Sequence, residues 1–349
     1  MEEPIVSNDT LIAVDLAKAV FEVIVSLVPG KTEKARRLKR NEFLPFLAQQ
    51  PPATVVMEAC GSAHYWAREI EKLGHKVVLL PAQHVRPYVL RNKTDRTDTK
   101  GMLEAYRNDD IRPVPIKSIA QQTLASLHRL RSGWMTDRTA TINRIRGILR
   151  EFGLLVPVGA EKVVPCVREY LGDAESGVPD LLRGPLAELC DEIRTLERRV
   201  HDLELQLAAL ARQTPVVQRL MTVPGIGLII ATAMVAFIGD VQRFPSARHF
   251  ASYLGLTPRE FSSGSKRRLG RISKRGDIYL RLLLIQGARS VLIRAHKTKE
   301  PDRFRFWGLQ LERKAGSNKA AVALANKIAR IAWAVWKHDR DFESKTLAA

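Results

Sequence analysis

Asp95 and Asp98 lie three positions apart in the stretch RNKTDRTDTKG, residues 91–101, flanked by Arg91, Lys93, Arg96 and Lys100 in a chain of net charge +19. Residues at i and i+3 share one face of a helix or tight turn, and the helical pattern runs on through Met102, Ala105 and Tyr106. Both carboxylates therefore fall on the side expected to face the core. Held close and desolvated, two like charges repel unless a cation lies between them. An acid at a helix N-terminus accounts for one of the pair, not for both.

Two further acids sit at strand ends. Asp15 follows the apolar run TLIAV (10–14) and Glu58 falls at the end of ATVVMEA (53–59), positions where a charge is costly without a task. Asp15, Glu58, Asp95 and Asp98 together would make an oxygen-only pocket suited to Mg²⁺, or to Mn²⁺. A pair of such ions roughly 3.5–4 Å apart can clamp the attacking and leaving oxygens of a phosphoryl transfer. Without metal, carboxylates at ~4 Å repel by about 1 kcal/mol in water and several times more at lower effective dielectric. The plainer alternative is four unrelated surface acids.

The elements that must position these acids read as α/β. TLIAV and VFEVIVSLV (20–28) are β-rich runs joined by a short turn, NEFLPFLAQQ is helical, ATVVMEA is a strand, SAHYWAREIEKLG is a helix with a Gly stop, and HKVVLLP is a strand. Such alternation predicts a mixed sheet covered by helices over residues 1–115. Residues 116–215 read as helical. Leu186, Leu189, Ile193, Leu196, Val200, Leu203, Leu207 and Leu210 recur at spacings of 3 and 4, a coiled-coil seam whose expected partner is 116–152, with 153–185 a Gly- and Pro-rich connection. The spacing leaves open whether the seam closes within one chain or between two. Residues 216–349 open with VPGIGLIIATAMVAFIGD (223–240), where a Gly-Ile-Gly turn at a helix start offers N–H groups to a phosphate. They continue through LGLTPREFSSGSKRRLGRISKRGDIYLR (254–281) to an amphipathic helix at 318–337.

Charge is distributed unevenly over these parts. Residues 1–115 hold 17 Lys and Arg against 15 Asp and Glu, 116–215 hold 14 against 13, and 216–349 hold 25 against 9, so the last segment carries +16 of the +19. That footprint suits nucleic-acid phosphates. Its spread over loops and several helices does not suit a single basic helix lying on a membrane. With 45% hydrophobic residues over 349 positions, two or three globular domains are expected. Three widely spaced cysteines, Cys60, Cys166 and Cys190, imply neither a disulfide framework nor a zinc cluster. The longest mainly apolar run, GLIIATAMVAFIG, is too short to span a bilayer and no basic, apolar leader opens the sequence, so a soluble cytoplasmic chain is expected.

The motifs AVDLAK, MEACG, RNKTDRTD and VPGIG…GLTPREFSSGSK…GRISKRGDIYLR, kept in this order over essentially the whole chain, resemble the DEDD-type transposases of the insertion-sequence-110 family, including its 1111 subgroup. The resemblance implies a RuvC-like, ribonuclease-H-type domain at 1–115, a helical coiled-coil region at 116–215 and a mainly helical, basic transposase domain at 216–349. It implies an acidic tetrad at Asp15, Glu58, Asp95 and Asp98 holding Mg²⁺, and places the serine of the family's Ser-Gly motif at Ser263, between Ser262 and Ser265. One departure is Cys60, where the family commonly has Thr.

Implied partners are donor and target DNA, a structured guide RNA encoded by the element, and further copies of the chain as a dimer or dimer of dimers at the nucleoid. In the family, the serine and the acids that meet come from different protomers. Ser263 would form a covalent phosphoserine link that preserves phosphodiester energy for religation, while Arg259, Lys266, Arg267, Arg268, Arg271, Lys274, Arg275 and Arg281 hold phosphates. Two alternatives stay open: a metal-dependent nuclease resembling a Holliday-junction resolvase, with water as nucleophile, and a non-catalytic nucleic-acid binder.

Overall fold

A computed structural model describes residues 10–27, 32, 35–89 and 95–343, with Asp95 and Arg96 described by their helical backbone alone. The chain forms two compact units, Met1–Ser118 and Ile119–Ala349.

In the first unit the β-branched runs form β1 (Leu11–Leu16), β2 (Val20–Ser26), β4 (Thr54–Glu58) and β5 (Lys76–Leu80), and an edge strand β3 (Arg36–Lys39) joins them in the order β3-β2-β1-β4-β5. β1 pairs antiparallel with β2 and parallel with β4, giving a mixed sheet. Alternation along each strand feeds two cores. One face presents Ile12, Val14, Phe21, Val23 and Met57 to the helices α1 (Phe43–Ala48) and α2 (Ala63–Glu71). There Phe21, Phe43 and Trp66 meet edge to face, with ring centres 5.0–5.5 Å apart. The other face presents Ala13, Ile24, Val56 and Leu80 to Met102, Leu103 and Ala105 of α4 (Asp95–Tyr106), which follows the short α3 (Ala82–Val85).

The second unit is mainly helical. α5 (Ile119–Glu151) and α7 (Asp180–Arg212) each run 33 residues, about 50 Å. They pack side by side within the chain, tied by Arg131–Glu204 at 2.6 Å and Arg138–Glu197 at 2.5 Å. The two ion pairs occur in opposite order along the helices, so α5 and α7 are antiparallel. Leu186, Ile193, Leu196, Val200, Leu203 and Leu207 of the seam are buried, Leu189 is half-buried and Leu210 is 45% exposed. The stretch 153–185, expected as a connection, instead contains α6 (Val163–Gly172) and the opening of α7. Pro165 is tolerated in α6 because the N–H it lacks, at the third helical position, has no partner within the helix.

Beyond α7 come α8 (Pro215–Met221), α9 (Leu228–Ile238), α10 (Ala247–Tyr253), a two-stranded sheet β6 (Pro258–Glu260) and β7 (Leu269–Ile272), then α11 (Ile278–Lys297), α12 (Arg303–Ala315) and α13 (Ser317–Lys337). Asp277 and Asp302 cap α11 and α12 by accepting from Leu280 N at 2.8 Å and Arg305 N at 2.7 Å. α13 buries Ala320, Ala321, Ala325, Ala329 and Ala332, small residues that let its neighbours approach closely.

His128 of α5 is fully buried between α9 and α11, with Nε2 3.0 Å from Thr232 Oγ1 and Nδ1 3.2 Å from Tyr279 Oη. Burial first, and the Arg131 charge second, lower its pKa to about 4, so it is neutral at physiological pH. The unfolded chain would protonate this residue near its ordinary value of 6.5, well above the folded one. Stability from the neutral imidazole is therefore fully present above about pH 6.5 and drains away as pH falls toward 4, by an amount on the order of 3 kcal/mol. Urea melts at stepped pH are expected to show this loss for the native chain and a shallower one for His128→Gln; equal slopes would remove His128 as the cause.

Candidate active site

Parallel pairing sets Val14 of β1 beside Met57 of β4, so the next residues on the two strands are Asp15 and Glu58. Both belong to the alternating set that includes Ala13 and Val56, the face covered by α4. On α4, Asp98 is half-buried and lies one and two turns before Met102 and Ala105, whose side chains pack on that face. Asp15, Glu58 and Asp98 therefore belong to one face of the sheet. The Asp95 backbone opens the same helix; its side chain, and Arg91 to Thr94 before it, lie outside the described residues.

A fifth acid belongs to this face. Glu22 of β2 is paired directly across from Asp15, is 8% exposed, and accepts from Arg37 Nε of the edge strand at 3.1 Å. Its signal in the sequence is the alternation within VFEVIVS, which puts Glu22 and Ile24 on one side. Among the described residues no group of three or more His, Cys, Asp or Glu is placed to hold a metal ion. The donor chemistry on this face, carboxylates only, fits a hard divalent cation rather than zinc or copper.

Ser263 lies in the second unit, on a hairpin. Phe261 N donates to Arg268 O at 2.9 Å, and Ser263 and Lys266 exchange backbone bonds at 3.3 and 3.2 Å, closing a two-residue turn over Gly264 and Ser265. Gly264 takes φ +57°, the positive value that a tight hairpin turn needs at its first central position. Residues 261 to 270 are all exposed. Ser262 differs from Ser263 in its bonding. Ser262 Oγ donates to Glu260 Oε1 at 2.6 Å and accepts from Arg268 N at 3.1 Å, whereas the Ser263 hydroxyl makes no hydrogen bond among the described residues.

The hairpin's root is tightly packed. Ser273 N donates to Thr257 O and Lys274 N to Gly255 O, and Lys274 takes φ +55°. Gly276, at φ +82°, passes so close to Tyr253 that a Cβ would lie 1.9 Å from its carbonyl oxygen. Arg259, Lys266, Arg267, Arg268, Arg271, Lys274 and Arg275 are exposed around this root and stem. Arg281 is placed otherwise: it is 7% exposed, and its guanidinium donates to Arg275 O at 3.1 Å and Leu254 O at 3.4 Å. Its Nη1 serves the protein's own backbone, which sets it apart from the exposed cations of the phosphate-facing set expected from the sequence. The Gly-Ile-Gly turn is likewise packed. Ile226 is buried, and a Cβ on Gly287 of α11 would meet Gly225 O at 2.1 Å.

Two family models match the chain: a DEDD transposase model of the IS110 type over residues 12–153, and the Transposase IS116/IS110/IS902 family over 217–303. The chain is 45% identical over 329 residues to a probable family 20 transposase of Pseudomonas aeruginosa, covering 94% of this chain and 97% of that protein. It is 37% identical to the transposase for insertion sequence element IS1111A of Coxiella burnetii, over 93% and 89% of the two chains. The transposase for IS1328 of Yersinia enterocolitica is 36% identical over 94% and 97%. The chain belongs to the IS110 family of transposases. It is a DNA transposase or recombinase whose substrates are DNA, and its DEDD-type domain points to divalent-metal use.

In this transposase the hairpin root has no room for a side chain at Gly276. Gly276→Ala is expected to cost about 2 kcal/mol or more, from the clash and the positive φ together. A thermal melt of that variant that coincides with the native one would show that the root is looser than described.

Proposed function

We propose that this transposase cleaves and exchanges DNA strands through a phosphoserine intermediate on Ser263, at sites chosen by a guide RNA. The observation that carries the reading is the hairpin, where Ser263 alone combines the position before Gly264 with an exposed hydroxyl unspent on the protein. Ser262 is held by Glu260 and Arg268 N and serves the hairpin's shape.

The Ser263 Oγ attacks a DNA phosphorus, forming the Oγ–P bond as the bond from phosphorus to the 3′ oxygen breaks. The serine proton passes to solvent and the 3′ oxygen takes one up. Lys266, Arg267, Arg268, Arg271, Lys274 and Arg275 bind the phosphates on either side and offset charge that develops on the reacting one. Asp15, Glu58, Asp95 and Asp98 would hold Mg²⁺, or Mn²⁺, which would supply Lewis-acid stabilisation of the leaving oxygen. Ser263 of one protomer and the acids of another serve a single phosphate, in a RuvC-like catalytic arrangement. The enzyme's phosphodiester energy is kept in the Oγ–P bond, so religation needs no ATP.

With Mg²⁺, guide RNA and a target blocked against rejoining, Ser263 is expected to become joined to DNA, and peptide mapping to place the adduct in FSSGSK. Ser263→Ala is expected to lose adduct and exchange together, and Asp98→Asn to lose cleavage while DNA binding persists. Undiminished cutting to free ends by Ser263→Ala would make water the nucleophile and install the resolvase-like reading instead.

The +16 of residues 216–349 and the family relationship support a bound RNA. RNA extracted from the purified transposase is expected to contain one discrete species from the element's own flanks, able to pair with both element end and target. A mixture of ribosomal fragments without such a species would remove the guide from the mechanism.

A further inference from the structure

Between the root of the Ser263 hairpin and α13 lies a groove of about 1110 Å³, large enough for a flat organic group and parts of its neighbours. Its floor is apolar, built from Leu256, Val322, Ala323, Ile331 and Ala334. Among the described residues four cations line it, Arg271 from β7 and Lys319, Lys327 and Arg330 from α13, and no carboxylate does. Lys327 Nζ lies 4.1 Å from the centre of the Trp307 ring and 5.7 Å from that of Phe304. Burial, then the charges of Arg303 and Arg330, hold this lysine below its ordinary pKa.

Two features must be matched by one occupant. An apolar helix from another protein would cover the floor but leave four like charges desolvated and unpaired, which is costly. A folded duplex would answer the cations but could not reach an apolar cleft with its bases, which are stacked inside. An unpaired nucleotide answers both demands, since its base is flat and apolar on its faces and its two phosphates carry the missing negative charge. Arg271 links the groove to the hairpin, because it lies on β7, the strand that returns from the Ser263 turn.

We propose that this groove receives an unstacked base of single-stranded nucleic acid, with the flanking phosphates on Arg271, Lys319 and Arg330. The inference rests on the nucleic-acid reading above and adds a preference for a strand with at least one base free of pairing. Holding one base out of the stack beside the hairpin fixes the register of the strand relative to Ser263, since phosphates alone allow it to slide.

The test uses the full chain and three fluorescent probes: a single strand, the same strand with abasic sites at its centre, and its duplex. Anisotropy titrations are expected to show the native protein binding the intact strand about 10-fold more tightly than the abasic one. Ala323→Phe, which fills the groove without changing charge, is expected to abolish that ratio while duplex affinity stays the same. Photocrosslinking of an iodouracil-bearing strand to the native protein is expected to label the α12 peptide that contains Trp307, which keeps the test independent of the variant's folding. An Ala323→Phe protein that retains the 10-fold ratio, or a label absent from α12, would overturn the proposal. So would a change in oligomeric state with the ratio intact, which would assign the groove to a second copy. Failure of the native chain to bind any of the three probes would instead overturn the nucleic-acid reading on which the groove depends.

Discussion

Parallel pairing of β1 with β4 is the constraint on which the acidic half of the molecule depends. With Val14 beside Met57, the residues that follow are both carboxylates, and alternation points both toward the face covered by α4. A one-residue slip would turn Asp15 and Glu58 to opposite faces. Register is fixed by what the neighbouring positions bury: Ile12, Val14, Val55 and Met57 into one core, Ala13 and Val56 into the other. Each large apolar side chain contributes about 1.5–3 kcal/mol when fully buried, so Ile12, Val14, Val55 and Met57 together outweigh the repulsion of about 1–4 kcal/mol that two carboxylates ~4 Å apart would feel. The same packing phases α4, because Met102, Leu103 and Ala105 can meet the sheet only if Asp98 lies on that side as well.

The hairpin poses the opposite problem, an exposed segment that must still hold a shape. Residues 261 to 270 bury nothing, so their geometry comes from hydrogen bonds and from the root. Gly255 and Gly276 let two backbone segments touch, Lys274 accepts a left-handed conformation there, and Arg281 ties Arg275 O to Leu254 O from beneath. Ser262 bridges Glu260 and Arg268 N, leaving the neighbouring Ser263 hydroxyl unspent at the turn. Rigidity at the base and an open tip are thus separate properties of adjacent residues.

Much of this was legible in the sequence. β1, β2, β4 and β5 carry apolar, β-branched runs, and the seam of α7 repeats at the helical period, so their positions follow from pattern alone. β3 escapes because RRLK offers one apolar residue; it is an exposed edge whose identity is fixed by its pairing with β2. α6 was hidden by its Gly- and Pro-rich surroundings, and β6 and β7 by their shortness, three and four residues, within a basic, Gly- and Ser-containing stretch. On the sheet face, Asp15, Glu58 and Asp98 were visible by type and by their places at the strand ends and on α4. Glu22 was not, since it joins them only through cross-strand register with Asp15. Arg281 stands apart for a related reason: one cation in a basic run looks like the rest until burial separates it.

Charge and chemistry are divided between the units in a way that bears on control. The acidic unit is close to neutral over residues 1–115 and has little electrostatic grip on DNA, whereas the basic segment attracts phosphates but carries a serine that is a weak nucleophile on its own. No histidine stands in hydrogen-bond contact with Ser263 to activate it among the described residues. On the proposed reading, either unit meeting DNA alone does nothing irreversible. Reaction requires the phosphate held by the hairpin to be brought to the carboxylate face, so strand cleavage becomes conditional on assembly of the complete complex. On that reading, in which the intermediate is a broken DNA strand, the coupling places the safeguard in the distribution of residues rather than in a separate inhibitor.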